Sequence, residues 1–255
     1  MFTCLNSIAK CFFVIFLFLN AAFPCSAELR TAEAAAADMF IFYSASSGEN
    51  ATDGPPESHS PFVEAFLNNL YKDEPINLIA IDIVADTYKL TGGGQIPEFD
   101  SKIMTNKMYS LANRDSTKRY ALLIGNSGYP GISRLGSPVN EIQEIAGALR
   151  LLGYEVDLTF DANMVDMERD IVSFVAKLAA EVESEGFFWY AGHGVEIDRE
   201  IFLLPVDCNY NSDSLLRASA VSLSLLTEKL ALIKNKINVV FVDTSRSSPF
   251  DWQVK

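Results

Sequence analysis

At 255 residues, 49% of them hydrophobic, the chain can bury one sizeable core, and a single domain is the default expectation. A formal net charge of −13 argues against nucleic acid or an anionic membrane as partner and suits a basic peptide or plain solubility.

Lys10 precedes an almost wholly apolar run from Cys11 to Ala22, and the small residue Ala27 closes the segment. A charged start, a short apolar stretch and a small-residue cleavage site are the layout of a secretory signal peptide, expected over residues 1–27. The apolar stretch is short for a membrane span. The protein is therefore expected to be exported, to the periplasm or the cell exterior. An uncleaved membrane anchor and a lipidated Cys25 are the alternatives, the second disfavoured by Pro24 directly before it. Cys4, Cys11 and Cys25 lie in the removable segment, so the mature chain keeps Cys208 and no internal disulfide is expected. In Leu-Pro-Val-Asp-Cys, Cys208 reads as a buried residue at a strand end.

A polar, alanine-rich linker follows over residues 28–37. Met39–Ala45 reads as a buried strand and Ser46–Ser58 as a loop. Ser60-Pro61 opens a helix whose apolar face is Phe62, Phe66, Leu67 and Leu70. A second helix is expected over Ile76–Leu90, stopped by Gly92-Gly93-Gly94, and a strand over Lys107–Leu111. A polar stretch, Asn113–Lys118, separates this first half (38–112) from a second (119–255). The second half alternates. Strands are expected at Tyr120–Ile124, Glu155–Phe160, Gly186–Tyr190 and Ile237–Val242, with a hairpin-like segment at Ile201–Val206. Helices are expected after Ser137-Pro138 (Val139, Ile142, Ile145, Ala146, Leu149 and Leu152 on one face) and after Asn163 (Met164 to Val182). Leu223, Leu226, Leu230 and Ile233 mark another. Such alternation implies an α/β fold with a mainly parallel sheet and helices on both faces.

In open parallel sheets functional residues gather at the carboxyl ends of strands. His193 stands there in Tyr190-Ala-Gly-His-Gly194, and Ser245 in Asp243-Thr-Ser-Arg-Ser247. The bland reading of His193 is a loop histidine capping a strand. Gly125-Asn-Ser-Gly128 follows a strand but lacks a phosphate-loop pattern, and His59 has no partner in sequence. No cofactor or metal is expected.

The segment from Arg119 to Phe250 resembles the large-subunit half of bacterial caspase-like and metacaspase-like cysteine peptidases. The resemblance rests on Ala121-Leu-Leu-Ile-Gly-Asn-Ser127, Pro138-Val-Asn140, Leu152-Gly-Tyr-Glu-Val156, Tyr190-Ala-Gly-His-Gly194, Leu203-Leu-Pro-Val-Asp207 and Asp243-Thr-Ser-Arg-Ser-Ser-Pro-Phe250. That family places its histidine about 50 residues before the nucleophile, and here His193 precedes Ser245 by 52. Tyr43-Ser-Ala-Ser-Ser-Gly48, Thr52-Asp-Gly54, Ser60-Pro-Phe62, Thr91-Gly-Gly93 and Gln95-Ile-Pro97 are similar to its small-subunit half, in the family's order but ahead of the large half. The resemblance implies a three-layer α/β sandwich around a mainly parallel six-stranded sheet, circularly permuted within one domain (38–255). Met39–Ala45 would then pair in parallel with Ile237–Val242.

The resemblance also implies site roles. His193 would act on the nucleophile or the leaving amine. The amides of Gly194 and of the nucleophile position would form an oxyanion hole. Asp243, and Glu141 with it, would line a pocket for an Arg or Lys side chain. The bland readings are a carboxylate satisfied by nearby amides for Asp243 and a first-turn helix acid for Glu141. The chain departs from the family at Ser245, where the catalytic cysteine belongs. A serine hydroxyl needs a base held by a third group, and no acidic orienter for His193 is evident in the sequence. The leading expectation is an exported pseudoprotease that binds basic peptides or regulates an active relative. A weak Ser245–His193 hydrolase and a nucleotide-binding α/β domain are the alternatives. Oligomeric state is left open.

Overall fold

Strands that are apolar on both faces must be covered on both faces, and that need organises the chain. The computed structural model describes residues 37–54, 58–103, 109–113, 118–130, 132, 135–136 and 138–244, all within one compact unit. The expected signal segment lies outside them, as do Ser245 and the residues after it. The strands are β1 (Asp38–Tyr43), β2 (Glu98–Lys102), β3 (Arg119–Gly125), β4 (Glu155–Phe160), β5 (Glu185–Ala191), β6 (Gly194–Ile197), β7 (Glu200–Leu203), β8 (Val221–Ser222) and β9 (Ile237–Asp243). The helices are α1 (Pro61–Asn69), α2 (Ile76–Leu90), α3 (Pro138–Leu151), α4 (Met164–Ala179), α5 (Asp213–Ala218) and α6 (Leu223–Leu232). Among the described residues no helix is long and apolar enough to cross a membrane.

Six strands form one sheet in the order β2-β1-β9-β5-β3-β4, parallel throughout except for β2, which runs antiparallel at one rim. The expected pairing of the first strand with the last is present. Phe40 lies opposite Val239 and Phe42 opposite Phe241, in parallel register. Alternation along β1 and β9 sends Phe40, Phe42, Val239 and Phe241 to one face, where α1, α2 and α3 cover them with Phe62, Phe66, Ile79, Ile83, Ile142 and Ile145. Ile41, Val240 and Val242 point to the other face, beneath Met167, Ile171 and Phe174 of α4 and Leu226 and Leu230 of α6. The first face is aromatic. Trp189 and Phe241 stack with centroids 4.8 Å apart, and Phe66 sits 4.9 Å from both rings.

Local chemistry sets the element ends. Ser60 caps α1 by accepting the Val63 N–H, and Asn163 caps α4 by accepting that of Asp166. A smaller antiparallel sheet, β6-β7-β8, closes over Tyr129, Leu204, Cys208 and Leu216, so Cys208 is buried as expected. At the amino ends of the central strands, Glu185 is neutralised twice, by Arg119 Nε at 2.8 Å and Lys236 Nζ at 2.6 Å. The Arg119 guanidinium also donates to the carbonyls of Leu111, Leu152 and Asn113, which fastens the segment between the two halves.

Two expectations need correction. No strand covers the described residues 109–111. Tyr109 and Leu111 are buried, but Tyr109 spends its hydroxyl on Tyr154 (3.0 Å) and Glu185 (3.3 Å). The strand beside β1 is instead Glu98–Lys102, a mostly exposed edge with no apolar run to announce it. Val182, expected on the buried face of α4, lies past the helix end and is exposed.

Candidate active site

His193 leaves the carboxyl end of β5 on a short turn and runs into β6. Its main-chain N–H donates to the Tyr129 hydroxyl at 2.9 Å, and its carbonyl lies 2.7 Å from the Tyr190 hydroxyl and accepts from Leu204 N–H at 3.0 Å. The Tyr129 and His193 rings meet edge to face, 4.6 Å apart. The Tyr129 and Tyr190 hydroxyls are 3.1 Å from each other, and burial pushes both upward from the ordinary phenol range, so both keep their protons at physiological pH. Gly194 has a steric reason: a Cβ there would stand 2.4 Å from Thr244 Oγ1. That close approach brings the end of β9, and with it the residue before Ser245, against the histidine loop.

Asp243 ends β9 where the two halves meet. Its carboxyl is pushed up to about 8, first by burial and then by the charge of Glu141, with Asp53 adding to the rise; hydroxyls of Ser44 and Ser60 pull the other way. Glu141, in the first turn of α3, is buried and accepts the Ser60 main-chain N–H at 2.5 Å. It is a first-turn helix acid, and its charge also acts on Asp243. Ser44, just past β1, accepts the Thr244 N–H at 3.1 Å on its hydroxyl. The N-terminal and C-terminal halves thus share one set of polar contacts around Asp243.

Asp53 was not legible in the sequence as a site residue. It stands exposed beside this group, where partial burial raises its carboxyl and the His193 side chain lowers it. The carboxyl group whose charge acts on His193 thus lies in the other half of the chain, 140 positions away. The Thr52-Asp53-Gly54 motif was the available signal. Gly54 packs so tightly that a Cβ would stand 2.2 Å from the His59 carbonyl oxygen, which fixes Asp53 beside the start of α1. His59 itself pairs with Glu144 at 3.0 Å, away from His193.

The N–H groups of Ser127 and Gly128, which a phosphate loop would offer to its ligand, both donate to Asp161 at 2.8 Å. No group of three or more His, Cys, Asp or Glu side chains arranged to hold a metal ion is present among the described residues.

A histidine at the end of one parallel strand, a group of acidic side chains at the end of its neighbour, and a six-stranded sheet completed by the other half define a caspase-like peptidase domain. The caspase domain family model matches residues 118–255, more than half of the chain, and the chain belongs to that family. Among known proteins it is similar to the human mucosa-associated lymphoid tissue lymphoma translocation protein 1, with 32% identity over 130 residues, 50% of this chain and 15% of that protein. The mouse homologue matches over the same length at the same identity. The chain therefore spans only a small part of these relatives' length.

Proposed function

We propose that the chain is a pseudoprotease of the caspase-like family: a domain that takes an Arg or Lys side chain of a peptide or protein ligand between Asp243, Glu141 and Asp53, with little or no hydrolysis. The observation that carries this reading is the convergence of three carboxyl groups at the end of β9, where Asp243 is held up to about 8 by burial and by Glu141, with Asp53, which also feels the charge of His193, adding to the rise. A guanidinium entering there would meet several acceptors at once and favour their charged forms. Ser245 in place of a cysteine removes the thiolate, an intrinsically strong nucleophile, and should cost several orders of magnitude in rate. Gly194 stands in the sequence position that the family uses for an oxyanion-hole amide. A role in regulating an active relative fits such a binder.

A second reading, a weak serine hydrolase, is favoured by Asp53. An acid facing His193 supplies the third group that a serine nucleophile needs.

The order of the halves supports a circular permutation, with β1 taking the place beside β9 where the family's small half begins. Export follows from the N-terminal apolar run.

The test is to incubate purified protein with a panel of Arg-, Lys-, neutral and acidic peptides, following binding and cleavage separately. Binding of the basic peptides without cleavage is expected. Cleavage that His193→Ala abolishes would replace the first reading with the second, and equal binding of acidic and basic peptides would remove the pocket altogether.

A further inference from the structure

Asp53 lies on a stretch, residues 44–54, that follows the end of β1. Residues 45–54 contain no proline to stiffen them, and Gly48 lies in the left-handed region at φ 77°. Yet the proposed pocket depends on the course of this stretch, because Ser44 and Asp53 both face Asp243.

One buried side chain bridges Ser44 and Thr52 within that stretch. The Gln95 amide nitrogen donates to the Ser44 carbonyl at 2.6 Å, and its amide oxygen accepts the Thr52 N–H at 3.0 Å. Gln95 is 2% exposed, and its own N–H is held by Thr91 Oγ1 at 3.1 Å, at the C-terminus of α2. Only a side chain with one donor and one acceptor on a common planar group can make both bonds; glutamate lacks the donor and methionine lacks both. The glycine-rich stretch after α2 thus delivers a polar strut across the loop rather than a mere helix stop. Ser46 Oγ, donating to the Ile96 carbonyl at 2.9 Å, adds a second tie from the same segment.

We infer that Gln95 is a positioning residue for the basic-ligand cleft, acting through Asp53: by bridging Ser44 and Thr52 it fixes where the Asp53 carboxylate stands relative to His193 and Asp243. The inference rests on the pocket reading above, since a rim carboxylate needs a fixed place only where a cation is to be met.

The test reads the His193 imidazole, not ligand binding. His59 and His193 are the two histidines of the chain, so a His59→Gln background leaves one imidazole to follow by NMR. A neighbouring carboxylate favours the imidazolium, so Asp53→Asn should lower the His193 titration midpoint by roughly half a pH unit or more. Gln95→Met should lower it in the same direction, and the double variant should fall no further than Asp53→Asn alone. A simple packing defect would not reproduce that non-additivity. Should Gln95→Met fail to fold, Thr52→Pro, which removes the N–H that Gln95 accepts along with the threonine side chain, must lower the midpoint instead. A wild-type midpoint in whichever of the two folds would overturn the inference, as would a wild-type midpoint in Asp53→Asn. A protein that passes this test and binds no Arg peptide would keep the strut and lose the pocket's proposed ligand; one that binds Arg peptide but fails it would do the reverse.

Discussion

Tyr129 and His193 touch twice: the tyrosine hydroxyl accepts the histidine's main-chain N–H at 2.9 Å, and the two rings meet edge to face at 4.6 Å. The hydroxyl also lies 3.1 Å from the Leu204 carbonyl, so one buried oxygen ties the histidine loop to the end of β7. Tyr129→Phe keeps the ring contact and leaves the His193 N–H without this acceptor. It should cost roughly 1–3 kcal/mol of stability, the usual penalty for stranding a buried polar group. An unchanged denaturation midpoint would show that the hydroxyl holds nothing.

Asp243 should make the fold less stable as pH rises. Its carboxyl titrates near 4 when unfolded and at about 8 in the fold, so between those values the folded state holds a proton that the unfolded state has lost. Stability from this group is therefore full below about pH 4, declines through the interval and is lost above about 8. Asp243→Asn should abolish the decline, with little change at pH 4 and a gain of a few kcal/mol at most at pH 9. Parallel pH–stability curves for the two proteins would refute it.

On the proposed basic-ligand reading, the same proton should govern ligand capture. Binding an Arg peptide should tighten as pH rises from 6 to 8.5, with proton release measurable as a buffer-dependent heat. High salt should weaken it, because part of the attraction acts through solvent. Asp53→Asn and Asp243→Asn should each weaken binding by about tenfold or more, in line with removing one partner of a desolvated charge pair. Affinity that ignores pH in this window would sever the link between Asp243 and the ligand.

The two halves are predicted to be thermodynamically inseparable. Phe66 of the N-terminal half lies 4.9 Å from both Trp189 and Phe241 of the C-terminal half. Phe66→Ala should cost about 3–5 kcal/mol, the range for emptying a buried aromatic site. A single cooperative transition, shifted as a whole, is expected; two separate transitions in the unfolding curve would show the halves to be independent.

The buried strands and their order were legible because burial leaves a mark: Phe40 to Tyr43 and Val239 to Val242 are apolar without interruption, as strands covered on both faces must be. The edge strand Glu98–Lys102 left no such mark, since a rim needs charge rather than an apolar run. His193 and Asp243 could be found from strand ends and spacing. Asp53 and Gln95 could not. Their meaning depends on which loops the sheet brings together, and the polar contacts that define them cross 43 to 140 positions of chain. Tyr109 shows the opposite error, an apolar-looking run whose burial answers to Glu185 and Tyr154 rather than to a strand partner.

The grip of Arg119 on the join between the halves is blind to the side chains it holds. Its guanidinium meets carbonyl oxygens of Leu111, Asn113 and Leu152, which every amino acid possesses. The identities at 111 and 113 are in this respect interchangeable, while the fork at 119 is not, because a lysine offers a single point of contact where three directions are needed. Related chains that keep this arrangement should therefore drift freely in the wording of the join and hold fast at the one residue that reads its backbone.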